Sequence, residues 1–115
     1  MTFDENVSSG TGTITLKNLT DVTQSVIDVD DAQVSISGGI LTINPTSDLE
    51  FGKNYAVQIS SGAIQDTAGN AFAGINDDTT WNFSTVLPPD TTPPSIVTLE
   101  PADDSVEVAL GANLV

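Results

Sequence analysis

The sequence predicts an all-β protein, an antiparallel sandwich of short strands. Three observations carry this. Apolar residues alternate with Thr and Ser in short runs, as in Thr13-Ile14-Thr15-Leu16-Lys17, which is the period of a half-buried strand. Clusters of Gly, Asn, Asp and Ser interrupt those runs every ~8–12 positions, the spacing of a sandwich meander. No stretch carries the wider period of a long amphipathic helix.

Met1-Thr2-Phe3-Asp4 reads as the middle of a strand, with Met1 and Phe3 on one face. Residues 6–12 are rich in Ser and Gly and read as a turn. Ile14 and Leu16 then point inward, with Thr13, Thr15 and Lys17 outward. After a turn at 18–21, residues 24–29 form the next strand, Ile27 and Val29 sharing a face, and Asp30-Asp31 closes it. Val34 and Ile36 alternate with Ser35 and Ser37; Gly38-Gly39 reverses the chain into Ile40-Leu41-Thr42-Ile43. Two short strands joined by Gly-Gly are a hairpin signal. Residues 46–54 make a longer crossing in which Leu49 and Phe51 are expected to cover one end of the core. Tyr55-Ala56-Val57-Gln58-Ile59 is the strongest strand. Residues 61–78 are loop-like, with room for one helical turn and apolar anchors at Ala63, Ile64, Ala71, Phe72 and Ile75. Within them, Asp66-x-x-Gly69-Asn70 suits a tight turn, because Gly and Asn tolerate positive φ and the Asp carboxylate can accept from nearby N–H groups. Trp81 and Phe83 point inward from the last strand.

Leu87-Pro88-Pro89-Asp90-Thr91-Thr92-Pro93-Pro94 holds four of the six prolines. Proline fixes φ and removes a donor, so this stretch is a semi-rigid extended connector. Beyond it, Ser95-Ile96-Val97-Thr98-Leu99-Glu100 reads as a new first strand. The chain therefore divides into a sandwich at 1–85, a linker at 86–94 and a further pair of strands at 95–115.

Composition narrows the function. Sixteen acidic residues against Lys17 and Lys53 give a net charge of −14. Such a surface repels nucleic acid and anionic lipid, which are bound through Lys and Arg. There is no run near the ~20 apolar residues of a membrane span, so membrane insertion is not expected, and a secretion signal is expected to lie outside this stretch. The chain has no Cys and no His, which removes thiolate chemistry, the usual triads and the usual zinc sites. The acidic residues sit in turns with no sign of a pocket, so the expectation is a protein that is not an enzyme. Calcium is the one ion the residues raise, since it takes six to eight oxygens from carboxylates and carbonyls. The acidic clusters that raise it are Asp4-Glu5, Asp30-Asp31, Asp77-Asp78, Asp90 at the joint and Asp103-Asp104, and of these Asp4, Glu5, Asp90, Asp103 and Asp104 are taken as the candidate ligands. The simpler account of the same residues is solvated turns that keep the protein soluble and discourage edge pairing. No cofactor is otherwise required. Trp81 and Tyr55 could stack on a sugar, but Trp81 shares the inward register of Phe83 and is read as core.

A set of motifs adds a resemblance. Ile40-Leu41-Thr42-Ile43-Asn44-Pro45 with Asp48-Leu49, then Gly52-Lys53-Asn54-Tyr55, then Gly62-Ala63-Ile64-Gln65-Asp66 with Ala68-Gly69-Asn70, then Trp81-Asn82-Phe83-Ser84-Thr85, resembles the bacterial Ig-like repeats of S-layer and large surface proteins. That family usually opens a repeat with Pro-Pro, a strand, a Pro-Ala-Asp turn and a second strand ending in Phe. Here the opening stands at the other end of the chain, as Pro93-Pro94-Ser95-Ile96-Val97-Thr98-Leu99-Glu100-Pro101-Ala102-Asp103-Asp104. Setting Leu114-Val115 before Met1-Thr2-Phe3 restores an unbroken strand. The resemblance implies an Ig-like sandwich in permuted phase, whose first strands come from residues 95–115 of its own chain or of a neighbour. The nine linker residues span about 30 Å at full extension, which makes self-closure tight; donation head to tail avoids the stretch. It also implies a non-catalytic spacer or stalk at the bacterial cell surface or outside the cell, with adjacent repeats or strand-exchanged copies as partners. The alternatives are a carbohydrate- or protein-binding module using residues 66–78, or an accessory domain of a secreted enzyme.

Overall fold

Alternation along the chain becomes two layers around one core in the computed structural model, which describes residues 1–115. Eight strands follow one another: β1 (Val7–Ser9), β2 (Thr13–Asn18), β3 (Thr23–Asp28), β4 (Val34–Ser37), β5 (Ile40–Ile43), β6 (Asn54–Ile59), β7 (Ile64–Asp66) and β8 (Asn82–Ser84). One layer is a four-stranded antiparallel sheet in the order β3-β2-β6-β8. Facing it are the β4-β5 hairpin and the β1-β7 pair.

β2 is central, and its inward Ile14 meets apolar partners on both sides. Ile14 stands opposite Ile27 of β3 and Ile59 of β6. These three, with Val29, Leu41, Val57, Ala63, Ile64 and Ile75, are buried. The outward residues of the same strands tie down the loops. Lys17 Nζ donates to both carboxylate oxygens of Asp78, at 2.7 and 2.9 Å, and Gln58 Nε2 donates to Asp78 at 2.8 Å. The 76–80 segment is thereby held across the outer face of β2 and β6. Lys53 pairs with Asp21 at 2.9 Å.

The Gly-Gly hairpin forms as expected, with Leu41 buried and Gly38 at φ 60°. Residues 1–3 join its outer edge: Thr2 bridges Ile40, Phe3 N donates to the Gly39 carbonyl, and Phe3 packs edge-on against Phe72 at 5.4 Å between ring centres. The Asp66 turn is also as expected. Its carboxylate accepts from the Ala68 and Asn70 backbone N–H groups and from Asn70 Nδ2.

Four expectations change. Residues 7–9 are not part of a turn but form β1, because β7 offers a partner edge. No helical turn forms in 61–78; residues 71 and 75 instead bridge back to Gln65 and Ile59. Gly74 permits this, since a Cβ there would run into the Ile59 carbonyl oxygen and lie 2.9 Å from the Ser61 nitrogen. Of the two residues expected to cover the core end, Phe51 is exposed and Leu49 is only partly covered. Finally, residues 95–115 form no strand and do not close their own sandwich. Val86 still accepts from Gly52 N at 2.7 Å; beyond it, no backbone hydrogen bond returns to the sandwich. The tail bonds only to itself, Glu100 and Val115 exchanging N–H···O bonds of 3.1 and 2.8 Å. A strand without a partner edge has neither ladder bonds nor an apolar face to bury against, so the segment forms no strand. The molecule measures 88 × 26 × 24 Å as a result. No helix is long and apolar enough to cross a membrane.

Candidate functional site

Two pieces of backbone are left without neighbours, and they flank one opening. β8 is the end strand of the four-stranded sheet, paired only to β6. Across from it, β5 is paired to β4 along its whole length but on its other edge only to residues 1–3. Met1 and Leu41 exchange hydrogen bonds of 2.9 Å in both directions. Asn44 N donates to Gln33 on the β4 side. Ladder bonds alternate in direction along a strand, so the N–H and C=O of Ile43 face the same outer edge as those of Leu41. No backbone group meets them there.

Between these edges lies a cleft of about 320 Å³ lined almost wholly by apolar side chains, among them Met1, Ile40, Ile43, Leu49, Trp81 and Phe83. Trp81 and Phe83 pack against the core yet remain partly exposed at its rim. No titratable side chain lines it. The cleft can bury apolar surface and can pair a strand; it offers no acid, base or nucleophile. Tyr55 is absent from this wall. Its ring is buried, stacked on Phe83 at 5.7 Å, and its hydroxyl accepts from Glu50 N. No Trp81–Tyr55 platform for a sugar exists.

The carboxylates serve the backbone. Asp77 accepts from the N–H groups of Thr80 and Thr79 and from both hydroxyls, which holds its carboxyl well below the usual range, at about 2. Asp66 is lowered by the Asn70 side chain first and then by backbone donors; Asp78 is lowered by Lys17, and Asp21 by Lys53. Asp31 is lowered by the N–H of Gln33. All are turn or loop constraints.

The five candidate calcium ligands fall on three separate segments. Asp4 and Glu5 are exposed in the loop after residues 1–3. Asp90 accepts from Thr92 N at 2.9 Å within the linker. Asp103 and Asp104 are exposed in a turn of the tail. No three carboxylates come together anywhere in the chain. The sequence signalled that residues 1–85 would want a strand, but not where. The opening is set by β5 and β8, which are distant in sequence, and only the register of residues 1–3 on β5 locates it.

A family model described as the bacterial Ig-like domain matches residues 1–85. Neither the comparison with curated proteins nor that with solved structures finds a match.

Proposed function

Because the chain belongs to the bacterial Ig-like domain family, we propose that residues 1–85 act as a non-catalytic structural module of a bacterial surface protein, a spacer or stalk segment outside the cell. One observation carries the reading. The proline connector leaves the sandwich at the Gly52–Val86 contact and makes no further backbone bond to it, so the sandwich ends in an extended strut. Stacked modules joined by such struts hold a distal part away from a surface. Adjacent repeats are the partners in this reading, and no cofactor is part of it.

The binding-module alternative would use residues 66–78. Their carboxylates are already engaged by Asn70, Thr79, Thr80 and Lys17, so little is left to recognise a ligand. A glycan array probed with the chain tests the choice. The spacer reading expects no binding; saturable binding of a defined glycan, lost on replacing the 66–78 loop, would overturn it.

A further inference from the structure

We propose that the outer edge of β3 takes up an extended basic peptide of a partner protein as an added strand, with one Lys or Arg of that peptide entering the polar cleft beside Ser25. The inference goes beyond the spacer reading and does not depend on it.

β3 ends the four-stranded sheet on the side away from β8. Val29 N donates to the Gly12 carbonyl at 3.0 Å, and the register runs on unbroken through Ile14↔Ile27, Leu16↔Ser25 and Asn18↔Thr23. Ladder bonds point to one side at every second residue. Thr23, Ser25 and Ile27 therefore bond toward β2, and the N–H and C=O of Gln24 and Val26 point outward. No backbone bond outside the strand ladders involves either residue. Sheet edges are usually closed to further pairing by Lys, Pro or a bulge. Thr23-Gln24-Ser25-Val26-Ile27 has none of these and carries no charge. Neither this edge nor the cleft beside it is built from residues 1–3 or 86–115.

The inner side of the edge is polar. Along β3 the inward stripe passes from Ile27, 3% exposed, to Ser25 and Thr23, both exposed. Along β2 it ends in Asn18. Between these strands and the 45–50 crossing lies a cleft of about 240 Å³, whose walls include Thr23, Ser25, Gln33, Ser47, Asp48 and Glu50. Asp48 and Glu50 have no ion pair, because Lys17 is bound to Asp78 and Lys53 to Asp21. A strand added to β3 bonds at Gln24 and Val26. Its residue opposite Ser25 then forms the closer, non-bonded kind of pair, with its side chain on the Ser25 face. That side chain enters the cleft that the two carboxylates line.

Charge decides the occupant. The chain carries −14 and has no uncommitted Lys or Arg. Asp21 and Asp28 stand at the two ends of the uncharged stretch. A second copy brings the same charges to the same edge and is repelled. A basic peptide is drawn by the whole surface and meets unpaired carboxylates at one defined position. Main-chain bonds at Gln24 and Val26 supply affinity, and the cleft supplies the preference for a cationic side chain.

The test uses the full chain and a labelled, end-capped synthetic peptide, Thr-Thr-Val-Lys-Val-Thr-Thr, followed by fluorescence anisotropy. The expected result is saturable binding that weakens with added salt, with slowed amide exchange at Gln24 and Val26. The same peptide with Glu in place of Lys binds at least about tenfold more weakly. Val26→Pro removes an outward N–H that β2 does not use, so the fold is kept by circular dichroism while affinity falls about tenfold. Asp48→Asn combined with Glu50→Gln keeps the edge and narrows the preference for Lys over Glu by about threefold. No binding at low salt overturns the proposal. Binding unchanged by Val26→Pro overturns it too, since it then comes from diffuse surface charge. A mass that doubles in light scattering, and returns to the monomer in Val26→Pro, assigns the edge to a second copy and overturns the basic occupant.

Discussion

Ile14 and Ile96 are the same residue in similar local sequence, Thr-Ile-Thr-Leu and Ser-Ile-Val-Thr-Leu, yet the structure gives them opposite surroundings. Ile14 is fully buried and paired on both sides, while Ile96 is 76% exposed in the tail. Truncating Ile14 to Ala removes buried methyl groups and leaves a cavity, a change that costs about 2–5 kcal/mol. Each kcal/mol moves the midpoint of a domain this size by about 4–8 °C, so Ile14→Ala should lower Tm by at least ~8 °C. Ile96→Ala should stay within about 0.5 kcal/mol, the range of a surface change. Both are measured in dilute protein by thermal and urea unfolding followed through Trp81 emission. A loss at Ile96 comparable to that at Ile14 would show that the tail belongs to the fold of its own sandwich. A loss at Ile14 under about 1 kcal/mol would mean that the two layers are not packed as described.

Val22 sits at φ 56° with its side chain 88% exposed, an expensive conformation for a β-branched residue that glycine adopts freely; Val22→Gly should raise stability by about 0.5–1 kcal/mol in urea titration. Gly74→Ala forces a Cβ against the Ile59 carbonyl at a φ of 89°, and should cost about 1–3 kcal/mol, seen as earlier unfolding. Acid should unfold the protein in a defined window. The folded values of Asp77, Asp66, Asp78, Asp21 and Asp31 lie below their ordinary 3.8, so their stabilisation is present above about pH 4 and is lost as pH falls toward 2. Tm followed by circular dichroism should be flat down to that point and then drop, less steeply in Asp77→Asn. Lys53 is raised by Asp21, so its contribution persists below pH 10.5 and is lost only as pH climbs through its higher folded value. Millimolar calcium should leave Tm unchanged, given the dispersal of Asp4, Glu5, Asp90, Asp103 and Asp104; a clear rise would reveal a site assembled between chains.

The strands that announce themselves in the sequence are those whose own residues alternate. β2, β3, the Gly38-Gly39 hairpin and β6 all stand where Ile14, Ile27, Leu41 and Val57 place them. β1 does not announce itself. Val7-Ser8-Ser9 has one apolar residue, and it is a strand only because Ile64, Gln65 and Asp66 lie alongside. The positive φ of Val22 is likewise hidden, since nothing in a Val marks it as strained. That residues 1–85 lack opening strands is an expectation drawn from the order of the motifs, with Pro93-Pro94 and the strand after it standing at the far end of the chain. The cleft itself was not legible, because its walls come from five separated stretches, around Met1, Ile14, Ile43, Val57 and Trp81, whose distance in space depends on the whole sheet order. The dispersal of the acidic pairs was hidden for a related reason. Neighbours in sequence such as Asp103 and Asp104 say nothing about convergence with Asp4 and Glu5.

Both lysines are already committed, Lys17 to Asp78 and Lys53 to Asp21. They are also the only basic residues in the chain. A protease that cuts after Lys or Arg therefore finds no substrate position in the exposed linker and tail. Its sole targets lie within β2, paired on both edges, and at the entry to β6. Enzymes that cut after acidic or aliphatic residues meet an open stretch of thirty residues, 86–115. The choice of protease alone thus separates the sandwich from its tail.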